Sequence, residues 1–98
     1  MDLKIEKFAR NMELTERINE YIDKKVGKLG RHINNVDETR VDLTYQKSAR
    51  SATDRYVAQI TIRGKGLILR TEERADDMFP AIDAAVDKMQ RQIERYKG

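Results

Sequence analysis

The chain has 98 residues, no cysteine, and 20 lysines and arginines against 17 aspartates and glutamates, for a net charge of +3. That length sets the expectation of one domain, residues 1–98, with a modest core, and the missing thiols exclude disulfides, thiolate metal sites and cysteine nucleophiles. No apolar run approaches the roughly 20 residues of a membrane span, and the N-terminal run MDLKIEKFARN is too charged for a signal peptide, so a soluble cytoplasmic protein without a membrane partner is expected.

Leu3, Ile5 and Phe8 alternate with Lys4, Glu6 and Lys7, which predicts a short first strand with the apolar set inward. Asn11 to Glu13 turns the chain out of it. Thr15 is placed to cap a helix, since its hydroxyl accepts from an early helical N–H, and Glu16 adds negative charge where the macrodipole favours it. Leu14, Ile18, Ile22, Val26 and Leu29 follow helical spacing with Tyr21 at the edge, and Gly30 marks the stop. Arg17, Lys24, Lys28 and Arg31 fall on one flank of this helix, with Lys25 nearer the core edge. Glu16, Glu20 and Asp23 fall towards the other side.

Val41, Leu43 and Tyr45 alternate with Arg40, Asp42 and Thr44 as a second strand. A polar loop, QKSARSATD, leads to a third strand with Tyr56, Ala58, Ile60 and Ile62 inward. Gly64-Lys65 reads as a hairpin turn with Gly66 just past it. Leu67 to Thr71 reads as the fourth strand, and Glu72 to Asp76 as the lead into the last helix, capped by Asp76 or Asp77. In that helix Phe79, Ile82, Val86, Met89, Ile93 and Tyr96 recur at spacings of three and four, one apolar face. Pro80 falls in the first turn, where its missing N–H is not needed. Asp83, Asp87 and Glu94 line one flank of the stripe, while Lys88, Arg91 and Arg95 line the other without an acidic member.

The predicted order is β-α-β-β-β-α. Strands polar on one face and apolar on the other give a sheet covered on one side only. The expected class is therefore α+β, a two-layer sandwich of four strands with both helices on one face. In that packing the two basic flanks would line the groove between the helices or its rim.

Catalytic signatures are lacking. The only histidine, His32, sits in GRHINN without a cysteine or a carboxylate at a recognisable spacing, and reads as a surface or cap residue. No phosphate-loop motif occurs, and the pairs Glu72-Glu73 and Asp76-Asp77 read as solvated or capping groups. The expectation is a protein that is not an enzyme, with no catalytic residue, cofactor, metal or small-molecule substrate. The basic helix flanks suit phosphate contacts to a folded RNA, read by shape and backbone. Tyr21, Tyr45, Tyr56 and Tyr96 read as core or core-edge residues, so no stacking platform is expected. The alternative is a protein-interaction module using the polar outer sheet face of Lys4, Glu6, Asp42, Thr44, Gln59 and Thr61.

The run LRTEERADDMFPAIDAAVDKMQRQIERYK resembles the signature of the ribosome hibernation-promoting factors, a family that includes ribosome-associated inhibitor A and the sigma-factor modulation proteins. Asp77, Met78, Ala81, Ile82, Asp83, Asp87, Lys88, Arg91 and Gln92 match that signature, and Arg95 and Lys97 match its basic tail. Lys24, Lys25, Lys28 and Leu29 are similar to the family's first helix. Phe79 and Pro80 depart from the pattern, where tyrosine and alanine are usual. The resemblance implies binding to the small ribosomal subunit, on the ribosomal RNA of the messenger and transfer RNA cleft. It further implies inhibition of translation and preservation of idle ribosomes during stress or stationary phase. It assigns RNA binding to Lys24, Lys25, Lys28, Lys88, Arg91, Arg95 and Lys97. The family has short and long forms; in a long form, pairing of two ribosomes belongs to a C-terminal domain absent from this chain.

Overall fold

The computed structural model describes residues 4–31, 33, 36–47, 50 and 54–97, without the side chains of Arg31 and Lys97. His32 and Leu3 lie outside the described residues. The elements are β1 (Ile5–Arg10), α1 (Glu16–Gly27), a 3-10 helix (Lys28–Arg31), β2 (Val36–Tyr45), β3 (Tyr56–Gly64), β4 (Leu67–Ala75) and α2 (Met78–Lys97). The sheet order is β1-β2-β3-β4, with β1 parallel to β2 and the other neighbours antiparallel. This is the α+β two-layer arrangement that the apolar periodicities demand.

Val41 and Leu43 of β2 and Ala58, Ile60 and Ile62 of β3 face the helices, each at most 1% exposed. Ile22, Val26 and Leu29 meet them from α1 and its 3-10 extension, and Ile82, Met89 and Ile93 from α2. Burying one such side chain contributes about 1.5–3 kcal/mol, so the central strands and the two apolar stripes hold the layers together. Thr71 also points inward from β4, 2% exposed, and its hydroxyl donates to the Ala85 carbonyl of α2 at 3.0 Å. That bond satisfies a buried polar group and fixes α2 along the strand.

The helix starts follow the sequence. Thr15 is extended at φ −71° and ψ 160°, and its Oγ1 accepts from the Ile18 N–H at 3.2 Å. Asp77 precedes α2, and its Oδ1 accepts from the Met78 N–H at 2.7 Å. The first helix does not run smoothly to Gly30. It ends at Gly27 and tightens into the 3-10 turn, a common way to finish a helix.

Several boundaries and faces differ from expectation. Strand β1 begins at Ile5, and strict alternation then turns Lys7 inward and Phe8 outward. Lys7 lays its stem against the core edge and reaches Asp23 of α1 at 2.6 Å. Phe8 is 44% exposed on the open face. Strand β2 begins four residues early, at Val36, with a register shift between Val36 and Glu38. Strand β4 runs to Ala75 because Glu73 and Ala75 keep pairing with β3. The hairpin turn is Lys65–Gly66, one residue later than predicted; Gly64 pairs with Leu67, and Gly66 carries the positive φ of 72°. Tyr96 is 56% exposed, because α2 continues past its last buried residue, Ile93. Among the described residues no helix is long and apolar enough to cross a membrane.

Candidate nucleic-acid interface

Of the seven basic residues singled out in the sequence, six have described side chains, and the packing of the helices decides how those side chains lie. Helices α1 and α2 are side by side on the sheet, and they meet through Tyr21 and Lys25 of α1 and Phe79 and Asp83 of α2. The Tyr21 hydroxyl donates to Asp83 Oδ1 at 2.6 Å, and Lys25 Nζ lies 3.8 Å from the same oxygen. One turn earlier, the Tyr21 ring packs edge-on against Phe79 at 4.9 Å between centroids, and the Arg17 guanidinium lies 5.5 Å above Phe79. The hydrogen bond to Asp83, then partial burial and the negative charge of Asp83, push the Tyr21 pKa from 10.0 to about 12.

The basic flank of α1 therefore faces the acidic flank of α2. Periodicity leaves open which flanks meet in the groove or at its rim; of the two basic flanks, that of α1 faces the other helix. Asp83 lies on the acidic flank, so at about 100° per residue the opposite flank of Lys88, Arg91 and Arg95 turns away from α1. Lys88 confirms this rotation by pairing with Glu73 of β4 at 3.8 Å. Both partners of that pair are substantially exposed, so it is worth 0 to about 1 kcal/mol and leaves the lysine available.

Lys24 and Lys28 are exposed on the α1 side, as are Lys88, Arg91 and Arg95 on the far side of α2. Lys25 is half-buried and occupied by Asp83; its Nζ also lies 5.6 Å from the centroid of the Tyr21 ring. Lys97 ends α2, and its side chain lies outside the described residues. The structure thus makes two separate basic strips, one of Arg17 and Lys24 on α1 with Lys28 on its 3-10 extension, and one of Lys88, Arg91 and Arg95 on α2. Arg17 was legible as a member of its flank, but its stacking on Phe79 was not.

Three of the four residues in the acidic pairs Glu72-Glu73 and Asp76-Asp77 have partners in the structure. Asp77 caps α2, Glu73 reaches Lys88, and Glu72 lies 3.9 Å from Arg74. Among the described residues no group of three or more histidines, aspartates and glutamates is placed to hold a metal ion.

Comparison with known proteins finds relatives over nearly the whole chain. The family described as "Sigma 54 modulation protein / S30EA ribosomal protein" matches residues 5–98. A ribosome hibernation promotion factor of Staphylococcus aureus (strain COL) is 35% identical over 95 residues, covering 97% of this chain and 48% of the relative. The chain thus spans about half the length of that relative. Among solved structures, the N-terminal domain of Thermus thermophilus Protein Y superposes with a TM-score of 0.78 at 29% identity, covering 98% of this chain and 99% of that one. A ribosomal subunit interface protein from Coxiella burnetii superposes with a TM-score of 0.82, covering 95% of this chain and 96% of that one; at 15% identity it speaks for the fold alone.

Proposed function

This chain belongs to the sigma 54 modulation protein / S30EA ribosomal protein family, and on that premise we propose that it binds the small ribosomal subunit through basic strips on its two helices. Its site is the ribosomal RNA of the cleft that messenger and transfer RNA normally occupy. Occupancy blocks translation by steric competition and preserves idle cytoplasmic ribosomes under stress; no bond is made or broken. The observation that carries this reading is the exposed α2 strip of Lys88, Arg91 and Arg95, with no acidic side chain on the strip itself. Such a row neutralises phosphates and releases their counterions. On the α1 side, Lys24 and Lys28 supply a second row of contacts, and Lys97 extends the first. Lys25 contributes less than its neighbours, since its charge already faces Asp83 at 3.8 Å. The proposal assigns these residues binding to one small subunit and no pairing of two ribosomes.

The test is co-sedimentation with separated ribosomal subunits across a salt series, wild type beside Lys88→Glu/Arg91→Glu. Small-subunit binding should fall by about 0.7–0.9 log units per phosphate contact for each log unit of salt, and the double variant should lose both affinity and slope. Folded wild-type protein that fails to sediment with small subunits at low salt refutes the proposal.

A further inference from the structure

The face of the sheet away from the helices holds a feature that the helix strips do not use. Strand alternation places Arg40, Thr61 and Arg70 in one row across β2, β3 and β4, since Thr61 pairs with Arg40 on one side and Arg70 on the other. Arg63 stands two residues along β3 on the same face, and Gln59 two residues back. Thr61 is only 6% exposed although no helix covers it, so the surrounding side chains form walls around a hydroxyl floor. The result is a depression of about 620 Å³, within the range of small-ligand sites. Arg10, Arg40, Arg63 and Arg70 line it against Glu38 and Asp42, a surplus of two positive charges.

One of those carboxylates is already engaged. Arg40 Nε donates to both Asp42 oxygens at 3.1 and 2.9 Å and its Nη2 to Oδ1 at 3.0 Å, and the carboxylate raises the Arg40 pKa further. The same guanidinium lies 4.2 Å over the Phe8 ring. Arg40 is thus held flat at the rim, making with Phe8 a stacked, planar edge. Arg63 and Arg70 have no ion pair among the described residues.

The geometry points to a second binding site, on the open sheet face, for the phosphate and base of a single nucleotide unit. The Arg63 and Arg70 forks match phosphate oxygens bidentately, and the Thr61 hydroxyl adds a donor beneath them. The Phe8–Arg40 edge offers a flat surface on which a base stacks. Inorganic phosphate would use the arginines and leave Phe8 idle, so the site selects a nucleotide over the bare anion. The site lies on the layer opposite the helices and stands independently of the proposed ribosome contacts. A nucleotide reaches it free or as part of a single-stranded RNA, since both present the same phosphate and base.

The experiment is an NMR titration of the folded chain with inorganic phosphate, adenosine monophosphate and a short single-stranded oligoadenylate. Saturable shifts are expected at Arg40, Thr61 and Arg70, with the monophosphate bound about tenfold tighter than phosphate, the scale of one base–aromatic contact. Phe8→Ala should erase that preference, and Arg63→Ala/Arg70→Ala should weaken every anion. Should the double variant misfold, Arg70→Gln alone, checked by circular dichroism, carries the same expectation. An oligonucleotide that binds tighter than the monophosphate identifies a strand as the ligand, and equal binding identifies the free nucleotide. Absence of shifts at millimolar ligand, shifts confined to the helices, or undiminished binding by a folded arginine variant overturns the proposal.

Discussion

Tyr21→Phe tests the helix contact on which the two-strip arrangement depends. The substitution deletes one oxygen and leaves the ring, so the edge-on packing against Phe79 survives. What is lost is a 2.6 Å bond donated to an ionised carboxylate, a class worth about 1.5–3 kcal/mol. Asp83 is 46% exposed and keeps Lys25 at 3.8 Å, so water and the lysine partly replace the hydroxyl. The cost should fall at the low end, about 1.5 kcal/mol, or roughly 6–12 °C in Tm for a chain of this size. The pH dependence gives a sharper signature. The native state holds the Tyr21 proton to about pH 12, whereas an ordinary tyrosine releases it near 10.0. Stability from this bond is therefore complete below pH 10, falls as pH rises, and is lost by about pH 12. Urea denaturation of both proteins from pH 8 to 12, with tyrosinate absorbance followed in parallel, measures the difference directly. Equal midpoints at pH 8, or a gap that does not close towards pH 12, would refute the reasoning.

Two further outcomes follow from the same packing. Thr15→Ala removes the cap on the Ile18 N–H and should cost about 1 kcal/mol, read as a lower urea midpoint with an unchanged slope. Met89→Ala empties a fully buried position between α2 and the sheet and should cost about 2–5 kcal/mol, measured by thermal denaturation; a loss below 1 kcal/mol would mean that the site collapses around the smaller side chain.

Much of the fold was legible because apolar periodicity and caps are local signals. The stripes of α1 and α2, the Thr15 cap and the alternation in β2 and β3 all depend on neighbours a few residues away. Phe8 misled because its bulk suggests an inward position, whereas Ile5 sets the parity of β1 and leaves Phe8 to be covered by Arg40. The end of β4 was hidden because Glu72 to Ala75 look like a polar lead into α2 until β3 supplies their pairing partners. The candidate interface divides in the same way. Charge sorting on each helix is written in the sequence, but the rotation of one helix against the other depends on Tyr21 and Asp83, 62 residues apart. Nothing local relates those two positions. The open-face row of Arg40, Thr61 and Arg70 likewise needs the register of three strands before its members become neighbours.

The spatial order of the strands repeats their order in the chain, and that has a kinetic consequence. Strands β3 and β4 are joined by two residues, and α2 follows β4 after two more. These elements close over short loops, at little entropic cost. Strand β1 is different: it reaches β2 only across residues 11–35, after α1 has crossed the sheet, and it brings six residues to an edge. The meander with α2 is thus the part of the molecule able to organise first, and β1 docks onto a surface already formed. Substitutions in β1 should accordingly speed unfolding while leaving the refolding rate nearly unchanged, and those at Ile60 or Met89 should slow refolding. A chain emerging N-terminus first would then hold its opening strand unpaired until the interior of its own sheet exists.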